Sequence, residues 1–552
     1  MARWGSPLDD PAFVRVGLPA TRTGKWSCPA AVAAKSRPGV PGGAGAVRGK
    51  VQDFLFEPLM AALDLVEHRG WSQERVVEEL WRSRGRLAGL VRKPSHDGLI
   101  SWTETALGRY LEAREEDQLA RAGCPTLPVT QVWVARWESN GTYHEQTCWG
   151  RRYASADGTY REIWLLGAGG PNETRPAAEL AAAAYTAAFG DPCANAYGKR
   201  HFPVRGLPDT AYARPGTVRV VAAGCGTGTF AQLLEWGSGE ARERYRSDAG
   251  PVLARAIAGT RRVPGADCVS CKLLPECEAV RRASLLPDVE RGRTPRRTVS
   301  VSDLRAHNTC ASQYHLTRQL NLRSADVAEN VHVLRGRAVD AWLNERHSAE
   351  PRRRCRVDDR PGNPERWSAG PFRVEGEAAA AGARMLAQHA AVCPLDSSGE
   401  ERAEVQRQVA VYDPGLELVF IATPDLLHTR SGRWVWRETK TAKSRLWEGR
   451  SLLRQYPQLA LAVLFFDAGV FGQARGSRVE LELLHDDSCA LEEIDPCQDA
   501  VVAESREVIG ELVGRWLVDD TYAAVPGDAC GGCDARTWCG PGRDFFGESG
   551  GR

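Results

Sequence analysis

The sequence contains no long uninterrupted apolar stretch. Hydrophobic residues make up 43% of its 552 residues, yet no run reaches the roughly 18 apolar residues that a membrane-spanning helix requires. Residues 1–20 lack the apolar core and the cleavage site of a secretory signal. We therefore expect a cytoplasmic protein that has no membrane partner.

The chain also lacks a charge excess and a phosphate-binding loop of the form GxxxxGK[ST]. Its formal net charge is only +2, so any surface that binds nucleic acid has to be a local patch. Without that loop, any ATP-driven motion would have to come from another chain. Lysine is scarce as well, at eight of the 72 basic residues, so each lysine is worth examining.

Cysteine, in contrast, is abundant. Sixteen cysteines in a cytosolic chain point to metal binding or to buried thiols. Six of them lie in two copies of the frame V-P-G-x-x-C-x2-C-x5-C, which are Cys268, Cys271 and Cys277 in the first half and Cys530, Cys533 and Cys539 in the second. A shared frame of that length predicts an internal repeat.

The two halves match beyond this frame. Each has one early cysteine, Cys28 or Cys310, and each has an Arg-Glu pair on a later predicted strand, ending at Glu162 or Glu438. An alanine- and leucine-rich helix follows in both. We therefore predict two copies of one α/β module, over residues 1–285 and 300–552, joined by a polar linker at residues 286–299.

The second half contains two carboxylates and a lysine at a spacing that can bring them together in a folded sheet. Asp425 and Glu438 are separated by the length of a β-hairpin, which can place them side by side, and Lys440 shares a strand face with Glu438. Carboxylate oxygens suit Mg²⁺ or Mn²⁺, and such an ion can activate a phosphodiester. The alternative meaning is a solvated strand with an exposed ion pair.

This half resembles the PD-(D/E)XK nuclease superfamily, specifically its RecB-like branch with an iron–sulfur cluster. That branch includes AddB-type helicase–nuclease subunits and CRISPR-associated RecB-like exonucleases. The resemblance covers about residues 300–545. Its carriers, in order, are Ser302-Asp303-Leu304, Cys310, Gly336, Asp340, Pro424-Asp425, Glu438, Lys440, a glutamine at position 455 or 458, and Cys530, Cys533 and Cys539.

The resemblance, together with the internal repeat, implies two tandem restriction-endonuclease-like modules, each a mixed β-sheet flanked by helices. It also implies Asp340, Asp425 and Glu438 as Mg²⁺ or Mn²⁺ ligands, with Lys440 and Gln458 as further catalytic residues. The implied substrate is DNA, and the implied partner is a helicase or another repair or defence subunit. Two departures stand out, because the family usually has histidine in place of Asp340 and a tyrosine four residues after the glutamine. Gln455 is therefore the alternative to Gln458.

The cysteines are expected to close each module with a metal cluster. Cys310 with Cys530, Cys533 and Cys539 supplies four thiolates, enough for a [4Fe–4S] cluster or for Zn²⁺. The fourth ligand lies 220 residues upstream, which favours the iron–sulfur cluster over a zinc ribbon. Cys28 with Cys268, Cys271 and Cys277 could form an equivalent second cluster.

The first half lacks the catalytic pattern. Glu162 is followed by Ile163 and Trp164, so no lysine stands two residues on, and no Pro-Asp pair precedes it at hairpin distance. This half is predicted to be a degenerate, inactive copy. A separate glycine pattern after a strand, Gly224-x-Gly226-x-Gly228, resembles the S-adenosylmethionine loop of methyltransferases. Such a loop needs an acidic residue at the end of the next strand, about 20 residues on, but residues 236–248 are predicted to be turn and helix.

The sequence thus predicts a metal-dependent DNA nuclease that acts in DNA repair, recombination or phage defence. One alternative is a catalytically inactive nucleic-acid-binding or assembly subunit that keeps the nuclease fold. A remote alternative is a methyltransferase that uses S-adenosylmethionine.

Overall fold

The computed structural model of the chain describes residues 13–22, 24, 26–40, 49–121, 123, 125–195, 199–291, 295–323, 330–395, 402–442, 446 and 449–549. In this part of the chain, no helix is both long enough and apolar enough to cross a membrane. Residues 292–294 of the predicted linker lie outside the described residues.

The described residues form helices and strands in both halves. The helices are α1 (Pro29–Lys35), α2 (Phe56–Arg69), α3 (Gln73–Arg82), α4 (Asp97–Ala120), α5 (Ala177–Phe189), α6 (Asp209–Tyr212), α7 (Ser238–Arg244), α8 (Gly250–Ile257), α9 (Val301–Thr309), α10 (Ala311–Tyr314), α11 (Val331–Ser348), α12 (Gly376–Val392), α13 (Leu452–Gln455), α14 (Pro457–Asp467), α15 (Asp499–Val518) and α16 (Gly540–Ser549). The strands are β1 (Phe13–Val16), β2 (Leu127–Pro128), β3 (Val132–Ser139), β4 (Thr142–Thr147), β5 (Arg151–Ala154), β6 (Tyr160–Gly167), β7 (Asp191–Cys193), β8 (Thr217–Gly224), β9 (Thr229–Gly237), β10 (Arg281–Arg282), β11 (Arg297–Val299), β12 (Arg366–Ala369), β13 (Phe372–Glu375), β14 (Ala403–Val405), β15 (Val409–Asp413), β16 (Leu418–Ala422), β17 (Leu426–Arg430), β18 (Arg433–Thr441), β19 (Arg478–Leu484) and β20 (Cys489–Ile494).

Two five-stranded mixed sheets have the same layout. Their strand orders are β2-β5-β6-β8-β9 in the first half and β14-β17-β18-β19-β20 in the second. In each sheet the third and fourth strands run parallel and the other neighbours run antiparallel. A parallel pair needs a crossover connection, and helix α5 or α14 lies in that connection. The mixed α/β class predicted from the sequence is therefore confirmed.

Helix α14 forms the centre of the core of the second half. Its residues from Leu459 to Phe466 are all buried, as expected for a helix that is apolar on every side. The Phe465 ring packs edge-on against Trp436 of β18, with ring centroids 6.1 Å apart. Buried apolar residues of α15, among them Ile509, complete this core. This packing fixes which face of β18 points to the core. Glu438 lies on the same face as Trp436, because the two residues are two positions apart in the strand.

Several sequence predictions need correction. The strand predicted from Val405 to Tyr412 is divided into β14 and β15, because Gln406 has a positive φ of 50° that no regular strand accommodates. The helix predicted from Leu452 to Phe466 breaks at Tyr456, immediately before Pro457. The cap of α9 is Ser300 and not Ser302, since the Ser300 hydroxyl accepts the Asp303 N–H at 3.3 Å.

The two halves are interleaved near the predicted boundary. Arg281 and Arg282, which the sequence assigned to the first module, pair as β10 with Val411 and Tyr412 of β15. In the same way, Leu316 belongs to the apolar core built on α2 and α4 of the first half. The two predicted modules therefore pack against each other through shared sheet and core contacts.

Arg437 is an ion-pairing residue inside the second half. It is 1% exposed and donates to Glu480 from Nε at 2.7 Å and to the Val392 carbonyl from Nη1 at 2.7 Å. Burial works against ionisation of Glu480, but the nearby His428 ring, 3.9 Å away, and the ion pair with Arg437 outweigh it and lower the pKa of Glu480 to about 2. Because that folded-state pKa is depressed, this stabilisation is present above the unfolded pKa and is lost as pH falls towards 2.

We expect the Arg437→Ala variant to lose up to about 3–5 kcal/mol of unfolding free energy, because it removes the buried guanidinium that pairs with Glu480 and leaves that buried carboxylate to the more exposed Arg430. Urea unfolding monitored by circular dichroism measures this loss. The control is Arg433→Ala on the same strand, where the side chain is exposed and the change should stay within about 0.5 kcal/mol. Equal stability of the two variants would show that the Arg437 pair does not hold the sheet together.

Candidate active site

Strands β17 and β18 bring Asp425 and Glu438 together, as the hairpin spacing predicted. Leu426 pairs with Arg437 across the hairpin, so Asp425 lies beside Glu438 at the next position. The Asp425 Oδ2 atom accepts the backbone N–H of Thr439 at 2.7 Å. The Glu438 Oε1 atom accepts the indole N–H of Trp436 at 3.0 Å, which orients its carboxylate from the core side.

Lys440 joins the two carboxylates. Its Nζ atom lies 3.0 Å from Glu438 Oε2 and 3.2 Å from Asp425 Oδ2. The side chain of Glu438 is 8% exposed, while that of Lys440 is 34% exposed. The ammonium group therefore stands at the mouth of the site, between the buried carboxylates and solvent.

Helix α11 adds the third carboxylate. The Asp340 Oδ2 atom accepts from Asn344 Nδ2, one helical turn on, at 3.1 Å. The amide of Gln406 donates to Asp340 Oδ1 at 3.3 Å and to Asp425 Oδ1 at 3.2 Å, so it bridges the two acids. Gln406 was missed from the sequence, and the positive φ that aims it into the site has no sequence signal.

The site holds three carboxylates against one ammonium. Burial, with help from the nearby Asp425 charge, raises the pKa of Asp340 to about 6. Burial also raises the pKa of Glu438 to about 7, where Lys440 opposes the shift and Asp425 adds to it. Burial disfavours the charged form of Lys440, but Glu438 and Asp425 outweigh it and raise its pKa above the usual value. This excess of carboxylates, with hard oxygen donors, fits a divalent cation such as Mg²⁺ or Mn²⁺.

The predicted glutamine has a different position. Gln458 is half-buried at the second residue of α14, and among the described residues no hydrogen bond joins it to Asp340, Asp425, Glu438 or Lys440. The alternative, Gln455, donates its Nε2 to the Arg450 carbonyl at 2.7 Å. Gln406 is thus the glutamine that contacts the carboxylates in this structure.

In the first half, arginines surround the corresponding strand glutamate. Glu162 on β6 accepts from Trp164 Nε1 at 3.1 Å, as Glu438 does from Trp436. However, Arg219 Nη1 and Arg114 Nη1 each lie 3.3 Å from a Glu162 oxygen. Both arginines also pair with Asp117 of α4. Two guanidinium groups thus neutralise two buried carboxylates, which leaves no charge for a metal ion to balance.

The glycine pattern does not form a nucleotide-binding loop. Strand β9 follows Gly228 directly and runs antiparallel to β8, where a methyltransferase loop would need a helix. A Cβ on Gly226 would lie 2.5 Å from the Ala168 carbonyl oxygen, so the glycine permits close packing of two turns. The methyltransferase alternative is therefore wrong.

Each half assembles its four predicted cysteines. In the second half, Cys310, Cys530, Cys533 and Cys539 line one small cavity, and the Val525 N–H points to Cys310 Sγ at 3.4 Å. In the first half, the Val263 N–H points to Cys28 Sγ at 3.3 Å, and Cys271 packs in the same small cluster as Cys28. Cys268 and Cys277 pack with Cys271 in a neighbouring cluster. The donor set in both places suits a thiolate-ligated metal group.

A third group of metal-ligating side chains was not predicted. His347, Cys355, His389 and Cys393 are all buried, and their four ligand atoms lie within 4.8 Å of one another. Neither Cys355 nor Cys393 lies in a repeated cysteine frame, so the sequence alone predicts ordinary buried thiols at both positions. The signal that was overlooked is His389 and Cys393 four residues apart, one turn of helix, with a second His and Cys shortly upstream.

Comparison with known protein families agrees with the position of the site. No curated protein matches the chain. Residues 298–540 match the family model of the PD-(D/E)XK nuclease superfamily. The matched segment contains the three clustered carboxylates and Lys440. Residues 298–540 of the chain are therefore similar to the PD-(D/E)XK nuclease superfamily.

Proposed function

We propose that the second half of the chain is a metal-dependent deoxyribonuclease of the RecB-like kind. The observation that carries this proposal is the contact of Lys440 Nζ with both Glu438 and Asp425, at 3.0 and 3.2 Å, inside the segment that matches the nuclease superfamily. Asp340, Asp425 and Glu438 would hold Mg²⁺ or Mn²⁺. When bound, such an ion supplies Lewis-acid polarisation of a phosphodiester.

The protein side chains have distinct roles in this proposal. The ammonium group of Lys440, at the solvent-facing side, can donate hydrogen bonds to the attacking water and to a phosphate oxygen, and so offset the charge that develops during hydrolysis. The Gln406 amide donates to both Asp340 and Asp425 and so holds the two carboxylates close together. Burial of Glu438 keeps bulk water away from one side of the site.

We extend the proposal to the cysteines and to the first half. Cys310, Cys530, Cys533 and Cys539 would bind a [4Fe–4S] cluster that joins the two ends of the nuclease domain. The fourth ligand, Cys310, is separated by 220 residues from the knuckle that begins at Cys530, which favours that cluster over a zinc ribbon. Cys28, Cys268, Cys271 and Cys277 would hold a second one.

The first half, on this view, is an inactive copy of the same module. The shared strand order of the two five-stranded sheets supports duplication. The arginines at Glu162 support loss of the metal site. Its role would be to hold DNA or to dock a helicase or another repair or defence subunit, in a soluble, cytoplasmic setting.

The proposed activity is tested by incubating the chain with linear and circular DNA over a range of Mg²⁺ and Mn²⁺ concentrations. Cleavage that requires the divalent ion supports the nuclease. DNA binding without cleavage at any ion concentration would instead support the second candidate, an inactive binding or assembly subunit. The observation that favours this second candidate is the pairing of Glu162 with Arg114 and Arg219 in the first half.

The raised carboxyl pKa values predict that metal binding depends on pH. Because Asp340 and Glu438 have folded-state pKa values of about 6 and about 7, above their unfolded values, their ionisation opposes folding as pH rises through that range. A bound divalent cation removes this penalty. Added Mn²⁺ should therefore raise Tm clearly near pH 8 and very little near pH 5.5, because the ligands must be ionised.

Differential scanning calorimetry with and without Mn²⁺ measures this effect. The Asp425→Asn variant is the control and should lose most of the Mn²⁺ response near pH 8. A Tm increase of the same size at both pH values would contradict binding at these carboxylates.

A further inference from the structure

His347, Cys355, His389 and Cys393 meet at one buried point in the second half. The four residues are between 0% and 6% exposed. The two Nε2 atoms of the histidines are 3.1 Å apart, and Cys393 Sγ is 3.9 Å from His347 Nε2. Buried imidazoles rarely face each other nitrogen to nitrogen with two thiols in the same space unless a cation lies between them.

The spacing corresponds to a tetrahedral zinc site. With Zn–N distances near 2.0 Å and Zn–S distances near 2.3 Å, the ligand atoms of such a site stand about 3.3–3.8 Å from one another. The His347–His389 and His347–Cys393 separations of 3.1 and 3.9 Å lie on either side of that range, and all four ligand atoms lie within 4.8 Å of one another. Two histidines and two cysteines fill all four positions, which is the mark of a structural and not a catalytic zinc ion.

Charge and orientation fit the same ion. Two thiolates cancel the charge of Zn²⁺, so a buried site of this composition is neutral and avoids the cost of an unpaired charge. The Nδ1 atom of His389 lies 2.5 Å from Glu482 Oε1, so Nδ1 carries the proton and the Nε2 lone pair points to the ion. A carboxylate behind a ligating histidine is the usual way that proteins fix the tautomer at a metal.

The four ligands come from separate elements that the metal would tie together. His347 lies on α11, His389 on α12, Cys393 just after α12, and Cys355 in the segment between the two helices. Asp359, further along that segment, binds Arg346 of α11 at 2.7 Å, which holds the segment in place beside Cys355.

The group also contacts the back of the candidate active site. Glu482, which orients His389, accepts from Thr439 Oγ1 at 3.1 Å, and the Thr439 N–H donates to Asp425 at 2.7 Å. Helix α11 carries Asp340 two turns before His347. A metal at this point would therefore fix both the helix and the strand that supply the nuclease carboxylates.

We infer that His347, Cys355, His389 and Cys393 bind one structural Zn²⁺ ion, separate from the iron–sulfur and divalent-cation sites. Binding replaces the thiol protons of Cys355 and Cys393, and both protons are released to solvent. The ion secures α11 and α12 against the sheet. This inference does not depend on the nuclease activity.

The test is the metal content and the zinc-edge X-ray absorption of the full-length chain. We expect one zinc per chain, with two sulfur neighbours near 2.3 Å and two nitrogen neighbours near 2.0 Å. The double variant Cys355→Ser/Cys393→Ser should lose that zinc, keep its iron and melt at a lower temperature. The matched control is Cys193→Ser, a fully buried cysteine elsewhere, which should keep the zinc.

The absorption measurement uses the unmodified chain, so it holds even where the double variant does not fold. Absence of zinc from the chain would overturn the inference. So would zinc with four sulfur neighbours, which would place the ion in one of the cysteine knuckles. A disulfide between Cys355 and Cys393, detected by mass spectrometry of the native chain, would overturn it as well.

Discussion

Replacing Lys440 with alanine should lower the rate of Mg²⁺- or Mn²⁺-dependent DNA cleavage by at least about 10²–10³-fold, the usual cost of removing one donor aimed at developing charge. The Lys440 ammonium contacts both Asp425 and Glu438 in this site. Replacing Asp425 with alanine should have an effect at least as large, because it removes a proposed metal ligand and the acceptor of the Thr439 N–H. Single-turnover cleavage of labelled DNA measures both rates.

The matched control for this prediction is another lysine. Lys50 is 79% exposed and forms a surface pair with Asp520, so Lys50→Ala should cleave DNA at the wild-type rate. Both active-site variants should keep the visible absorbance of the proposed iron–sulfur cluster, since the substituted residues are separate from the cysteines. Undiminished cleavage by both of them would remove the basis for assigning catalysis to this site.

Replacing Cys530 with alanine should destabilise the nuclease domain and remove one cluster. A cross-link that closes a loop of more than 100 residues is worth about 5 kcal/mol through the entropy of the unfolded chain, and Cys310 and Cys530 are 220 residues apart. We expect iron to fall from about eight atoms per chain to about four, together with a clear drop in Tm. Anaerobic iron and zinc analysis and calorimetry measure the two effects.

Cys497 provides the control, because it is an exposed cysteine outside both knuckles. The Cys497→Ala variant should keep all of its iron and its Tm. If Cys530→Ala matched it in both respects, the cysteine set would have no role in closing the domain. Zinc in place of iron in the wild-type chain would overturn both proposed clusters.

The site residues that could be predicted from the sequence are those that lie close together along the chain, at a spacing that a hairpin brings together. Asp425, Glu438 and Lys440 lie on one hairpin, and the two-residue period of a strand is enough to place the last two on one face. The cysteine knuckles were found because the frame repeats within the chain. The same repeat predicted two copies of one α/β module, and the two five-stranded sheets have corresponding strand orders, although the division between β14 and β15 was not predicted.

The parts that were missed depend on tertiary contacts between distant segments. Gln406 reaches Asp340 and Asp425 only because a positive φ turns it out of the strand path. Arg114 and Arg219 neutralise Glu162 from a helix and a neighbouring strand, and neither arginine lies in a motif. The same holds for the His₂Cys₂ group, whose members span 47 residues of sequence and meet only when α11 packs on α12.

The central claim is that one of the two halves cuts DNA, and a pair of matched substitutions tests it most directly. Glu438→Gln and Glu162→Gln remove the same charge from the corresponding strand of each half, and both glutamates accept a tryptophan N–H. Cleavage is measured for wild type and both variants across a Mn²⁺ titration. We predict that Glu162→Gln cleaves like wild type while Glu438→Gln does not cleave at any Mn²⁺ concentration. Retained cleavage in Glu438→Gln, or equal loss in both variants, would contradict the claim.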